Sequence, residues 1–276
     1  MISNCLLPVA GFGTRFLPVT KSIPKEMIPI LTKPLIHYGV EESMDAGLNL
    51  ISIVTSKHKD AIKKYFENSS IVEKSLKGTD KEFLLNGINN VINSCDFSFA
   101  EQAEMKGLGH AIYSGKEIVG NKPFAVLLPD DLCFNEGDSV LKQMIEVHKH
   151  YPDCCIIAIE EVPTSEGHKY GIISGEFIDQ SEKVLRIQNM VEKPSRDKAP
   201  SNLAIIGRYI LSQEIFQTLE NTRPDHNGEI QITDALMQLA KNGKVIAYKF
   251  DGKRFDCGSV RGYLDANNFF AAKENI

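Results

Sequence analysis

The sequence predicts an α/β protein with a Rossmann-like, largely parallel central sheet flanked by helices and an added antiparallel portion. Three observations predict it. Through the first half, short β-branched or apolar runs alternate with amphipathic stretches, the pattern of βαβ units whose helices cover both sheet faces. The stretch 154–211 is strand-rich with fewer helices, which suggests antiparallel pairing added to the same sheet. No repeat, low-complexity tract or Gly/Ser linker interrupts residues 1–276, so they read as a single domain.

The elements follow in order. Strand 4–9 is short, apolar and closed by a glycine-containing turn. Helix 35–46 is amphipathic, and strand 50–55 (Leu-Ile-Ser-Ile-Val-Thr) is β-branched. Helices 58–66 and 82–92 lead to strand 97–101, and helix 109–118 leads to the apolar strand 124–128. Helix 140–150 precedes the continuous apolar run 154–161. Strands 172–177, 184–191 and 203–210 form the strand-rich stretch, followed by helices 213–218 and 230–241. Strand 245–250 and helix 260–272 close the pattern.

Composition narrows the function. Apolar residues at 42% and charged residues at 24% are ordinary for a globular chain. A net charge of −5 without a Lys/Arg block argues against a nucleic-acid partner. The longest apolar runs are too short to span a bilayer, and the first residues carry no basic segment of a signal peptide, so no membrane is expected. The six cysteines form no CxxC pair and no zinc-type spacing, which favours reduced thiols and a cytoplasmic setting.

In open α/β sheets, ligands bind beyond the carboxyl ends of strands, and four segments there are unusual. The first, Ala10-Gly11-Phe12-Gly13-Thr14-Arg15, follows strand one. Its glycines allow close backbone approach to phosphate, yet GxGxxG fails at Phe16 and no P-loop is present, so it is a phosphate loop of another type or simply a tight turn. Arg15, Lys21 and Lys25 share this long connection. Their clustering favours a triphosphate over scattered surface lysines. The second segment is the apolar strand 124–128 ending in Pro129-Asp130-Asp131. Its carboxylates suit Mg²⁺, although Asp also forms turns and caps. Adjacent side chains diverge, so one of the pair is expected to be the ligand. The third runs from Gln102 through Gly107 and Gly109, and the fourth is Val191-Glu192-Lys193-Pro194 with Tyr170-Gly171 upstream. Taken alone, Gln102 and the Glu192–Lys193 pair read as surface residues.

The chain resembles the sugar-nucleotide pyrophosphorylases. The resemblance rests on the run 11–21 with Pro24-Lys25-Glu26-Met27, then Gly107-Leu108-Gly109-His110-Ala111, Leu128-Pro129-Asp130-Asp131, Tyr170-Gly171, Val191-Glu192-Lys193-Pro194, the run 228–235 and Phe255-Asp256-Cys257-Gly258-Ser259. It spans nearly the whole chain, and the later motifs together narrow it to the bacterial uridylyltransferase branch. Ile28 and Phe255 stand where that branch usually has Leu and Tyr. The resemblance implies the nucleotide-diphospho-sugar transferase type of fold and one nucleotidyltransferase domain. The implied reaction takes UTP and glucose 1-phosphate to UDP-glucose and pyrophosphate with Mg²⁺, in a homodimer or homotetramer. Arg15, Lys25 and Lys193 become catalytic residues, and Asp130 and Asp256 metal ligands. Ala10, Gly11, Gly13, Glu26, Gln102, Gly107, Gly109, Gly171, Glu192 and Lys193 become the substrate-binding set. Within it Gln102 and its glycines face the uracil, Glu192 accepts sugar hydroxyls and Lys193 holds the sugar phosphate. The same chemistry with dTTP, a non-catalytic nucleotide-sugar sensor and a metal-dependent glycosyltransferase are the alternatives. Pyrophosphate release from UTP excludes the last two.

Overall fold

The computed structural model describes residues 2–68 and 70–276. From the N-terminus the elements are β1 (Asn4–Pro8), β2 (Pro29–Ile30), β3 (Lys33–Pro34), α1 (Leu35–Asp45) and β4 (Leu50–Thr55). Next come α2 (Asp60–Tyr65), α3 (Ile71–Leu76), α4 (Asn86–Ser94), β5 (Asp96–Glu101), α5 (Gly107–Ser114) and α6 (Lys116–Val119). Then follow β6 (Phe124–Leu127), β7 (Asp131–Phe134), α7 (Val140–His150), β8 (Cys155–Glu161), β9 (Gly171–Phe177), β10 (Val184–Glu192) and β11 (Leu203–Leu211). The chain ends with α8 (Glu214–Asn221), α9 (Ile232–Ala240), β12 (Val245–Lys249), β13 (Lys253–Asp256) and α10 (Val260–Lys273).

Each of the nine expected strands is present in one sheet, in the order β5-β4-β1-β6-β11-β8-β12-β10-β9. The expectation of a largely parallel, Rossmann-like sheet is corrected: the sheet is mixed. Strands β5, β4, β1 and β6 run parallel, and β12 runs parallel to β8. Strand β11 is antiparallel to β6, β8 and β9, and β10 is antiparallel to β9 and β12. The geometry of β11 explains the difference. Along one edge it pairs β8; along the other, Arg208–Leu211 pair β6 while Leu203 and Ala204 pair β9. The second contact closes β11-β8-β12-β10-β9 into a five-stranded, barrel-like ring.

Burial follows from helices on both faces. Strands β1, β6 and β8 are buried almost continuously instead of alternating. Within β1, Leu6 enters one core with α5, α8 and α9, while Cys5 and Leu7 enter another with α1 and α7. A third apolar group gathers Ile30, Leu132, Phe255 and Phe270 around β2, β7, β13 and α10.

Helix boundaries moved where local signals interrupt a period. The segment expected as one helix over 82–92 is a 3₁₀ turn followed by α4. That expected over 109–118 starts two residues earlier and breaks at Gly115 into α5 and α6. Helix α3, opened by a Ser70–Glu73 capping box, was not foreseen, nor were β2, β3, β7 and β13. None of the described helices is long and apolar enough to cross a membrane.

Candidate active site

Beyond the carboxyl ends of β1 and β6 lies a cleft of about 380 Å³. Ala10, Gly11, Gly13, Lys25, Glu26, Gln102, Gly107 and Asp130 line it. The connection after β1 is built from three 3₁₀ turns, Thr14–Phe16, Val19–Lys21 and Lys25–Met27. Gly13 lets it fold back: its φ is +67°, and a Cβ there would sit 2.9 Å from Lys25 Cβ. Thr20 Oγ1 donates to Gly13 O at 2.9 Å and pins the turn. Of the three cations in this connection, Lys25 lines the cleft, while Lys21 lines a neighbouring cavity with Leu17 and Ile23.

Asp130 sits in the turn that follows β6, closed by Asp131 N–H donating to Leu128 O at 3.1 Å. The Lys25 ammonium is ion-paired with Asp130. Burial works to raise the Asp130 pKa, but the charges of Lys25 and Arg15 outweigh it and hold the carboxyl below its usual range. Burial likewise works to lower the Lys25 pKa, and Asp130 and Glu26 outweigh it and hold Lys25 cationic. Asp256 does not follow the last strand, as the sequence suggested; it ends β13, whose residues pair with β7 so that Asp256 stands opposite Asp131. Asp256, Asp130 and Arg15 converge at Gly258. A methyl group on its Cα would lie 2.9 Å from Asp130 Oδ2, 3.0 Å from Asp256 Oδ1 and 3.0 Å from Arg15 Nη2. Two hard carboxylates meeting at one point, beside the cleft, fit a divalent cation that would take its other ligands from substrate and water. Burial and the Asp131 charge push the Asp256 pKa up, which a bound cation would reverse.

Asp131 is committed elsewhere. Its Oδ1 accepts from Arg254 Nε at 2.7 Å and its Oδ2 from the Gly207 N–H at 2.7 Å. Gly207 is where β11 passes from one neighbour to the other, so Asp131 braces the junction of the sheet. Arg208, 1% exposed, pairs with Glu42 and donates to Leu128 O at 3.2 Å, bracing the same turn.

A second cavity of about 220 Å³ shares Leu108, Leu128 and Glu229 with the first. Gly171, Glu192 and Lys193 line it. Neighbours on a strand face opposite ways. Here Lys193 follows the end of β10 with φ +43°, a left-handed turn that brings both side chains to one cavity. Glu192 Oε2 accepts from Thr233 Oγ1 at 3.1 Å.

Two expected contacts take another form. Gly109 is not part of the cleft wall: its N–H donates to Ile230 O at 2.9 Å, and a Cβ there would be 2.6 Å from that oxygen, so it seats α5. Glu26 lines the cleft but is 1% exposed, and its Oε2 receives the Lys59 ammonium at 2.8 Å. Its Oε1 is buried without a partner among the described residues. Burial pushes the Glu26 pKa up and the Lys59 pKa down.

Sequence reasoning missed Lys59, His110, Glu229 and Arg254. Lys59 also donates to Val9 O at 2.6 Å, tying α2 to the start of the glycine-containing turn. Glu229 stands in the wall common to both cavities. His110 and Glu229 belong to motifs that were legible, but Lys59 carries no local signal.

A family model described as nucleotidyl transferase matches residues 6–273. The UTP--glucose-1-phosphate uridylyltransferase of Pseudomonas aeruginosa is 55% identical over 98% of this chain and 96% of its own. A solved apo UDP-glucose pyrophosphorylase is 53% identical, with a TM-score of 0.94 over 99% of this chain and all of that one. A UDP-glucose pyrophosphorylase complexed with UDP-glucose is 52% identical, with a TM-score of 0.91 and the same coverage.

Proposed function

The chain belongs to the nucleotidyl transferase family, and from that premise we infer that it transfers the uridylyl group of UTP to glucose 1-phosphate, giving UDP-glucose and pyrophosphate. The observation that carries this reading is the pair of adjoining cavities sharing Leu108, Leu128 and Glu229. They lie in a chain 55% identical over nearly its whole length to a uridylyltransferase.

In our assignment the first cavity takes the nucleotide, with the base toward Gln102 and Gly107 and the phosphates toward Gly11, Gly13 and Lys25. The second takes the sugar, with hydroxyls on Glu192 and phosphate on Lys193. A phosphate oxygen of glucose 1-phosphate attacks the α-phosphorus of UTP, a new P–O bond forms, and the bond to the β-phosphate oxygen breaks as pyrophosphate leaves. No enzyme-bound intermediate is needed, so the protein contributes positioning and charge. Lys193 orients the attacking phosphate, and Lys25 and Arg15 neutralise charge that develops on the departing pyrophosphate. Asp130 and Asp256 fit a divalent cation, which we assign as Mg²⁺; when bound it draws charge from the phosphates of both substrates.

The test is pyrophosphate release measured over a matrix of nucleoside triphosphates and sugar 1-phosphates. UTP with glucose 1-phosphate should give the highest kcat/KM, with dTTP a weaker second. Preference for dTTP would convert the reading to a thymidylyltransferase, and no pyrophosphate from any pair would leave a sensor.

A further inference from the structure

Gln102 follows β5 and is 3% exposed, with its side chain on the wall of the first cavity. Its Nε2 donates to Gly107 O at 3.2 Å and lies 3.0 Å from His110 Nδ1. A backbone carbonyl only accepts, so the Gly107 contact fixes the amide with its nitrogen toward α5. Both hydrogens of Nε2 are then committed. The imidazole nitrogen facing Nε2 must itself accept, which places the His110 ring proton on Nε2 of the ring. Oε1 is the remaining polar atom of the amide, and it is left for whatever fills the cavity.

Oε1 can only accept. Uracil offers an N3–H donor at the corresponding edge, whereas cytosine offers a lone pair at N3, which an outward-facing oxygen repels. An amide free to rotate would serve both bases by turning its nitrogen outward. We propose that His110 secures the base preference: as a positioning residue outside the cavity wall, it adds a second acceptor to the Gly107 carbonyl, and the two together lock the Gln102 amide as an acceptor and so favour uracil over cytosine. The proposal rests on the reading that Gln102 faces the base. His110 lies on the first turn of α5, three residues after Gly107. The two contacts therefore come from one rigid element.

The experiment measures kcat/KM with UTP and with CTP for the wild type, Gln102→Ala, His110→Leu, His110→Asn and the double variant Gln102→Ala/His110→Leu. The ratio of the two substrates on one preparation is independent of the fraction of active protein. Gln102→Ala should flatten the UTP/CTP ratio by about tenfold or more. Loss of one neutral hydrogen bond should make His110→Leu lower the ratio by about three- to tenfold. Asn places a side-chain oxygen near the Nδ1 position, so His110→Asn should keep the ratio within about twofold of the wild type. In the Gln102→Ala background, His110→Leu should change nothing further. In the wild-type protein, ¹⁵N spectra should place the His110 proton on Nε2.

If Gln102→Ala leaves the ratio unchanged, the base reading itself fails. If Gln102→Ala flattens it while His110→Leu does not, or if His110→Leu weakens UTP and CTP use equally, the lock is overturned and His110 is only a packing residue. A proton found on Nδ1 overturns it as well.

Discussion

At Asp131 two donors, Arg254 Nε and the Gly207 N–H, occupy the two carboxylate oxygens. At Asp130, one residue earlier, the side chain meets Lys25 and converges with Asp256 at Gly258. Substitution should separate these duties. Asp131→Asn turns an NH₂ group toward a donor in either orientation and removes one of the two carboxylates that Arg254 meets, leaving it Glu160. We expect it to cost about 2–4 kcal/mol of stability in denaturant unfolding. Asp130→Asn and Asp256→Asn should instead lower kcat by about 100-fold or more, judged from the loss of one preorganised electrostatic group, with a smaller change in stability. Equal kinetic losses at 130 and 131, with stability unchanged, would undo the assignment. Lys25→Ala should reduce kcat by about 100-fold while changing KM for UTP much less, because the charge it meets develops as pyrophosphate departs. A rise in KM alone would make Lys25 a binding residue only.

Among the elements, α2 is tied to the loop after β1 by one buried side chain. Lys59 is 7% exposed and reaches both Glu26 and Val9 O. Lys59→Met removes the hydrogen-bonded cation from Glu26 and leaves it only the charge of Lys25, and we expect a loss of about 1–3 kcal/mol near neutral pH. The sign of the pH dependence follows from burial, which raises the folded pKa of Glu26. Folding then favours the protonated acid, so its contribution is retained below the unfolded pKa and lost as pH rises through the folded one. Lys59 pulls the Glu26 pKa down, so its loss raises that pKa further, and the deficit of Lys59→Met should shrink as pH falls toward the ordinary carboxylate range and grow as pH rises above it; unfolding curves independent of pH would contradict it. On α5, Gly109→Ala would press a methyl group onto Ile230 O, and a melting experiment should register an overpacking cost of about 1–3 kcal/mol. The strands of the large sheet were legible as short apolar or β-branched runs or, in β5 and β10, as apolar residues alternating with polar ones. Strands β7 and β13 were not, since their four residues mix charged and apolar side chains without the continuous apolar run of β6, and what makes them strands is a pairing across the chain, Asp131 to Asp256.

For the whole molecule, the adjoining cavities make a prediction about ligand linkage. UDP-glucose spans both in our assignment, so at equal concentration it should raise the melting temperature more than UMP or glucose 1-phosphate alone. A hundredfold excess over Kd corresponds to about 2.7 kcal/mol, on the order of 5 °C for a chain of this size. A glucose 1-phosphate shift as large as that of UDP-glucose would argue against a shared site. The cavities adjoin because the sheet is mixed. Strand β11 is nine residues long and serves β6 and β9 along one edge. That junction at Gly207 places β9 and β10, which in our assignment border the sugar cavity, next to the carboxyl ends of β1 and β6.

The sequence by itself determined the α/β class, the strands of the central sheet, and the segments where chemistry gathers, because these depend on local periodicity, turn residues and motifs in fixed order. Resemblance added roles that periodicity does not carry, such as those of Gln102, Glu192 and Lys193. Only the tertiary structure decided that the sheet is mixed and curls into a ring, since strand direction is set by which distant edges meet. It decided too that Asp131 braces the sheet while Asp130 meets Asp256, that Gly109 seats a helix, and that Lys59 and His110 stand behind the site. Each of these is a contact between residues far apart in sequence or turned by a backbone angle, and hydrogen-bond donors and acceptors declare their partners only once folding has brought them within about 3 Å.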